Sequence, residues 1–354
     1  MHLSQSGFPV FSGEDALFAF SGWLSVSGFN RGLLLCDPFT YEHCLPLLRS
    51  AVPEVSAWPV LTVPAGEEAK TMTEATQLWN RLTELNITRK DLLLNLGGGA
   101  LTDLGGFVAS LYLRGIPFVH IPTTLLGMVD AALGGKSAVD LGPVKNRIGT
   151  IVFPQCTVCD PVFLKTLPEE SWLDGLAEAV KHAIIGDEGL FHLLSDSHYV
   201  RKTLVEQLGR IQSVKLRIVE ADPFESGLRK ALNFGHSIGH AIESCALEAG
   251  IQGISHGRAV AMGMVVESRI ALALGILSSE DEDAIVRFIG QHFGMPVLNW
   301  INPERLLHFL RLDKKNTSGG IFMSMPDRIG SCLPAVEVSE ELVRQVLAET
   351  MAQA

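Results

Sequence analysis

Short apolar runs recur through the first 165 or so positions, each closed by a turn-former or an acid. The run 32–36 stops at Asp37, 60–63 at Pro64, 92–96 at Gly97 and 118–121 at Pro122. Runs of this length bounded by such residues read as strands. Between them, 73–85 and 102–113 carry apolar positions at helical spacing. A β-branched stretch, 150–158, reads as one more strand. After Pro168 the strand pattern mostly stops. Segments 171–185, 201–220, 228–249, 259–274 and 280–293 read as helices, and only 321–325 as a late strand.

Strand–helix alternation predicts a parallel sheet covered on both faces. The expected fold is therefore α/β plus all-α. A Rossmann-like domain over 1–165 precedes a mainly α-helical domain over 166–354. With 47% apolar and 19% charged residues among 354, two globular domains are the natural division.

The net charge of -11 excludes non-specific nucleic-acid binding, which needs a basic surface. It leaves room for an anionic small molecule in a locally cationic cleft. The first basic residue is Arg31, so no charged leader region is expected. No uncharged apolar run reaches the ~18 residues of a membrane span, because Glu267 and Arg269 interrupt the stretch 259–277. Six cysteines without a regular framework point to a reducing compartment, hence the cytoplasm. The Cys156-x-x-Cys159 spacing has no second pair and reads as chance.

Ligands of open α/β sheets bind at the carboxyl ends of strands, and polar motifs cluster there. Asp37 is placed to hydrogen-bond a ribose. Glu67 and Lys70 follow the second strand. Gly97-Gly98-Gly99-Ala-Leu-Thr102-Asp103 opens a helix whose free N–H groups suit a pyrophosphate. Thr123 and Thr124 follow the fourth strand. In the helical half, the spacing of Arg229, Asn233, His236 and His240 puts them on one face of a helix over 228–249. Catalytic zinc takes three protein ligands and keeps one position open; Glu178, His236 and His256 are the candidates. A Glu178–Lys181 intrahelical ion pair is the plainer alternative. Lys136, Lys145, Lys314, Lys315 and Lys215 supply further cations.

These motifs occur in order with others: Gly106-Phe107, Tyr112-Leu-Arg114-Gly-Ile-Pro-Phe, Pro122-Thr-Thr-Leu-Leu, Asp130, Gly134-Gly-Lys136, Lys145-Asn146, Leu164-Lys-Thr-Leu-Pro168, Leu176-Ala-Glu178, Leu232-Asn-Phe-Gly-His236, His256-Gly-x-Ala-Val260 and Asp313-Lys-Lys315. Over roughly 30–330 the chain resembles the 3-dehydroquinate synthases, of the sugar phosphate cyclase group. The resemblance implies a cytoplasmic homodimer, dependent on NAD and on Zn2+ or Co2+. It implies conversion of 3-deoxy-D-arabino-heptulosonate 7-phosphate to 3-dehydroquinate and phosphate in the shikimate route to aromatic amino acids. The partners implied are this anionic sugar phosphate and a second copy, with neither nucleic acid nor membrane.

The resemblance also implies roles. Glu178, His236 and His256 hold the metal. Lys136, Asn146, Asn233 and His240 surround the phosphate, with Arg114 added from a partner subunit, and His240 relays a proton. Lys215 and Arg229 hold the carboxylate and ring oxygens. Asp130 and Lys181 orient hydroxyls, and Lys314 or Lys315 adds a cation. NAD lies along Asp37, Glu67, Lys70, Gly98, Gly99, Thr102, Asp103, Thr123, Thr124, Lys136, Lys145, Phe163 and Thr166. Four positions depart from the family pattern: Val144 for Gly, Asp140 for Asn, His182-Ala183 for Tyr-Gly and Arg258 for Glu. None removes an implied ligand. The alternatives are a related cyclase acting on another sugar phosphate such as sedoheptulose 7-phosphate, a metal-dependent polyol dehydrogenase, and a non-catalytic binding protein. Arg229 with Lys215 favours the carboxylate-bearing substrate.

Overall fold

The computed structural model describes residues 2–3, 8–142, 144–295, 297–312 and 320–352. Lys314 and Lys315 lie outside the described residues. The chain forms two compact units. One runs to Trp172 and takes in Val205–Glu220; the other comprises Leu173–Leu204 and the residues from Ala221 onward. A single boundary at 165/166 does not anticipate the return of Val205–Glu220 to the first unit. That return is held by long-range contacts that leave no local trace in sequence.

The first unit begins with strands β1 (His2–Leu3) and β2 (Pro9–Ser12), helix α1 (Ala16–Val26) and strand β3 (Gly32–Cys36). Helices α2 (Pro38–His43) and α3 (Leu45–Ala51) lead to β4 (Val60–Thr62), and α4 (Met72–Glu84) to β5 (Leu92–Gly97). Helix α5 (Gly99–Leu111), β6 (Phe118–Pro122), α6 (Leu125–Val129), β7 (Lys136–Leu141), β8 (Val144–Ile151) and β9 (Cys156–Cys159) follow. The main sheet has the order β1-β2-β9-β6-β5-β3-β4. Only β1 runs antiparallel to its neighbour. Every residue of β3, β5, β6 and β9 is buried, as strands covered on both faces must be.

The predicted strands 32–36, 60–63, 92–96 and 118–121 are thus β3 to β6. The stretch 150–158 is not one strand. Pro154, which has no N–H for a ladder, lies between the end of β8 at Ile151 and the start of β9 at Cys156. Strands β7 and β8 form a separate antiparallel hairpin. Cys156 and Cys159 are buried; three apart on a strand, they face opposite sides.

Chain order reverses between β3 and β5, since β4 lies on one side of β3 and β5 on the other. Asp37 and Gly97–Gly99 therefore flank the switch point where ligands of such sheets bind. Helix α5 sits directly on the sheet. A Cβ on Gly105 would fall 2.0 Å from Asn95 Oδ1, and one on Gly106 2.2 Å from Ser137 Oγ.

Helix α7 (Glu169–Gly186) carries the chain into the second unit, followed by α8 (Glu188–Ser195) and α9 (Val200–Glu206). Helix α10 (Leu208–Ala221) belongs almost wholly to the first unit; the helix expected over 201–220 is thus divided at Gln207. Then come α11 (His236–Ala249), α12 (His256–Ala273), α13 (Ser279–Phe293) and α14 (Pro303–Leu312). The hairpin β10 (Ile321–Arg328) and β11 (Ser331–Val338) replaces the single late strand, and α15 (Glu340–Ala352) ends the described chain.

The expected helix 228–249 needs correction. Leu228–Asn233 is a 3-10 turn, Gly235 takes φ +78°, and α11 starts only at His236. Gly235 is required there because its backbone touches α12: a Cβ would lie 2.5 Å from Met264 Cγ and 2.9 Å from the Val260 carbonyl. Arg229 and Asn233 therefore precede the break and share no helical face with His236 and His240.

Candidate metal centre and cofactor-binding residues

Three helices of the second unit converge on one carboxylate. Glu178, on α7, is 1% exposed. Its Oε1 lies 3.3 Å from His236 Nε2, at the start of α11, and 3.8 Å from His256 Nε2, at the start of α12. One donor atom from each lies within 4.8 Å of the others. Donors bonded tetrahedrally to one zinc at about 2.1 Å are roughly 3.4 Å apart. One carboxylate and two imidazoles, so spaced, fit a three-ligand centre with an open position.

The other nitrogen of each ring is engaged, which fixes the ligating one. His236 Nδ1 lies 3.1 Å from the Phe234 carbonyl, an oxygen that can only accept, so Nδ1 carries the proton and Nε2 the lone pair. His256 Nδ1 lies 3.5 Å from Glu243 Oε1. Burial, with the Lys181 ammonium behind it, pushes His236 below the ordinary histidine value; the neutral form is the ligating one. Burial would lower His256 as well, but its hydrogen bond to Glu243 and the Glu178 charge raise it.

The Glu178–Lys181 ion pair is also present, with both side chains buried. The ion pair leaves the other oxygen open to a metal: Oε2 faces Lys181 and Oε1 faces the histidines. His240 is exposed, its ring 5.3 Å from that of His236 and 6.0 Å from that of His256. It can pass a proton between this centre and solvent.

Arg229 and Asn233 are placed by a turn rather than a helix. Asp222 accepts N–H groups from Ser226, Gly227 and Arg229, and these bonds, Gly227's first, hold its carboxyl below the usual range. The Arg229 guanidinium, 2% exposed, donates to the Pro223 carbonyl at 2.6 Å. Asn233 Nδ2 donates to Glu225 Oε1 at 2.9 Å.

In the first unit, Lys70 organises the residues at the strand ends. Its Nζ lies 3.0 Å from Asp103 Oδ2, 2.6 Å from Asn146 Oδ1 and 3.6 Å from Glu67 Oε2. Burial would lower its ammonium; the Asp103 and Glu67 carboxylates outweigh that and raise it. Asp140 fixes the partner strand, accepting the Asn146 N–H at 2.6 Å and donating its own N–H to the Lys70 carbonyl. Asn146 sits at φ +52°. Asp140, which departs from the family pattern, is thus a structural link between Lys70 and Asn146.

Gly98 caps α5 without a side chain, leaving the helix N-terminus approachable. Asp37 caps α2 and Thr124 caps α6. Thr123 donates its N–H to the Gly97 carbonyl. Thr102 and Phe163 are 1% exposed, and the Thr102 hydroxyl donates to the Gly99 carbonyl; both lie beneath the surface. Lys136, Lys145 and Thr166 are exposed. Lys215 Nζ is shared between Asp130 Oδ1 at 2.8 Å and the Asp130 carbonyl at 2.6 Å. Arg114 is exposed in a strained turn, φ +66° after Leu113 at +50°.

Sequence reasoning missed Glu243, Glu267 and Asp222. Glu243 follows His240 by three residues and His236 by seven, so a helical-face argument from the histidines could have found it.

The chain matches two family models in adjoining stretches, 3-dehydroquinate synthase N-terminal over 60–174 and 3-dehydroquinate synthase C-terminal over 175–316. It is 34% identical to a 3-dehydroquinate synthase of Parabacteroides distasonis over 96% of this chain and 95% of that one. Among solved structures, a 2-deoxy-scyllo-inosose synthase complexed with carbaglucose-6-phosphate, NAD+ and Co2+ superposes with TM-score 0.83 at 25% identity, covering 98% of each chain. A 2-epi-5-epi-valiolone synthase from Streptomyces hygroscopicus, with NAD+ and Zn2+ bound, gives TM-score 0.83 at 28% identity over 100% of this chain and 99% of that one. With its donor triad, its switch-point loops and a match that runs through both halves, the chain belongs to the 3-dehydroquinate synthase family.

Proposed function

We propose that this chain converts 3-deoxy-D-arabino-heptulosonate 7-phosphate to 3-dehydroquinate and phosphate, as a phosphate-eliminating carbon–oxygen lyase that uses NAD and a divalent zinc or cobalt ion. The observation that carries this reading is the convergence of Glu178 Oε1, His236 Nε2 and His256 Nε2 in a chain of this family. The reaction runs through transient oxidation of a ring hydroxyl, β-elimination of phosphate, re-reduction, ring opening and aldol closure. When bound, the metal supplies Lewis acidity to substrate oxygens and NAD takes up and returns a hydride.

The residues of the chain do the rest. Lys181 holds Glu178 in place and orients hydroxyls. His240 accepts the hydroxyl proton and passes it to water. Arg229, prearranged by Asp222 and Pro223, takes the carboxylate, a role that suits a planar guanidinium, and Asn233 takes phosphate oxygens. The family resemblance assigns Lys136, Asn146, Lys215 and Asp130 to the substrate as well. The residues around Lys70 and Asp103 and the N-terminus of α5 serve NAD. We assign the chain to the cytoplasm and to a homodimer in which Arg114 reaches the partner; no described helix is long and apolar enough to cross a membrane.

The test is phosphate release from the heptulosonate phosphate by chelator-stripped protein with NAD, with and without zinc. Zinc- and NAD-dependent release without net NADH is expected. Stoichiometric NADH accumulation would point to a dehydrogenase. No release from folded, NAD-binding protein would turn attention to a sugar phosphate lacking the carboxylate.

A further inference from the structure

Helix α11 starts at the ligand His236 with a glycine as its cap, so no local side chain meets its first N–H groups. The acceptor comes from another helix. Glu267 of α12 is fully buried. Its Oε2 accepts the Gly235 N–H at 2.6 Å and its Oε1 the Ile238 N–H at 3.0 Å. These amides bracket His236. A carboxylate at a helix N-terminus is favoured by the dipole, and its bonds are charge-assisted.

The Gly235 N–H belongs to the same peptide group as the Phe234 carbonyl, and that carbonyl receives His236 Nδ1–H at 3.1 Å. A continuous relay results: Glu267 carboxylate, Phe234–Gly235 peptide, His236 imidazole, then Nε2 facing Glu178. His256 has a carboxylate directly behind it, Glu243. Carboxylates behind ligating histidines fix ring orientation and raise basicity, and their loss costs 10–100-fold in metal affinity as a rule. Glu267 also lies eleven residues after His256, which returns to within about 20° of the same helical face. One face of α12 thus carries both the ligand His256 and the anchor of the ligand His236.

We propose that Glu267 is a positioning residue of the metal centre, setting the orientation and basicity of His236 through the Phe234–Gly235 peptide. The inference rests on Glu178, His236 and His256 being the ligands. It is tested by Co2+ affinity in chelator competition and by the visible ligand-field spectrum of the Co2+ form. The proteins compared are the unsubstituted chain, Glu267→Gln, Glu267→Asp and Leu347→Ala, the last removing a fully buried side chain of α15 as a control for general destabilisation. Glu267→Gln keeps one acceptor but presents a donor to the other amide. The expected result is a loss of about 10–100-fold in Co2+ affinity and an altered spectrum in Glu267→Gln, with both unchanged in Leu347→Ala. Should Glu267→Gln not fold, Glu267→Asp, which keeps the charge but withdraws it by one methylene, is read the same way. Unchanged affinity and spectrum in a folded Glu267 variant, or an equal loss in Leu347→Ala, overturns the proposal alone. Failure of the unsubstituted chain to take up Co2+ overturns the ligand assignment and this inference with it.

Discussion

Glu178 serves two masters, and its substitution separates them. One oxygen faces two imidazoles and the other a buried ammonium. Glu178→Gln leaves the Lys181 charge without its carboxylate. Breaking one side of a buried pair costs about 3–5 kcal/mol, so metal-free Glu178→Gln should lose about 3 kcal/mol in urea unfolding. The double variant with Lys181→Met should recover part of that while still binding metal poorly. A different group governs acid sensitivity. Burial lowers His120 to about 3 from 6.5, so between those values the unfolded chain binds a proton that the folded chain does not. Stability from this group is whole above pH 6.5 and falls as pH drops toward 3, at about 1.4 kcal/mol per pH unit. His120→Gln should flatten the acid limb of the urea midpoint against pH by one proton's slope; an unchanged limb would rule the group out. At this scale the sequence singled out Glu178, His236 and His256, and the structure brings these three side chains together. Glu243 and Glu267 were opaque, since an acid among apolar residues reads as an interruption until its distant amide or imidazole partner is known.

Among elements, the least legible was the one with the richest chemistry. The 228–249 segment has helical spacing throughout, and propensity gives little warning of a break within it. What breaks it is tertiary: Gly235 lies against Met264 and Val260, while a Cβ on Gly263 would meet the Gly235 carbonyl at 2.0 Å. Two backbones touch where each lacks a side chain. Gly235→Ala pays both for left-handed φ, worth roughly 1–2 kcal/mol, and for overpacking, worth roughly 1–3 kcal/mol. A loss of about 3 kcal/mol, with weakened Co2+ binding, is expected by thermal unfolding and metal titration. A substitution tolerated at full stability would mean the turn is not fixed by this contact. Strands fared better, because β3, β5 and β6 are buried on both faces and leave continuous apolar runs. The β7–β8 hairpin escaped notice because most of β8 is exposed, so no apolar alternation marks it.

For the whole molecule, the main surprise is discontinuity. Helix α10 completes the first unit through Gln212, which donates to the Met128 carbonyl at 2.9 Å, and through Lys215 on Asp130. A fragment ending at Trp172 should therefore melt below one in which a Gly/Ser linker joins Trp172 directly to Val205–Glu220. NAD binding should follow the same order. Equal melting temperatures would show α10 to be dispensable to that unit. Nothing local in 201–220 distinguishes a helix that packs back on an earlier unit from one that stays with its neighbours in sequence.

This same discontinuity sets a clock during synthesis. A ribosome adding about 5–20 residues per second needs roughly 2–10 s to extend the chain from Trp172 to Glu220. Throughout that interval the sheet is complete in sequence but still lacks the helix that closes around Met128 and Asp130. The nascent first half is then open to chaperones and proteases, and a rare-codon pause placed within 173–204 would lengthen that exposure.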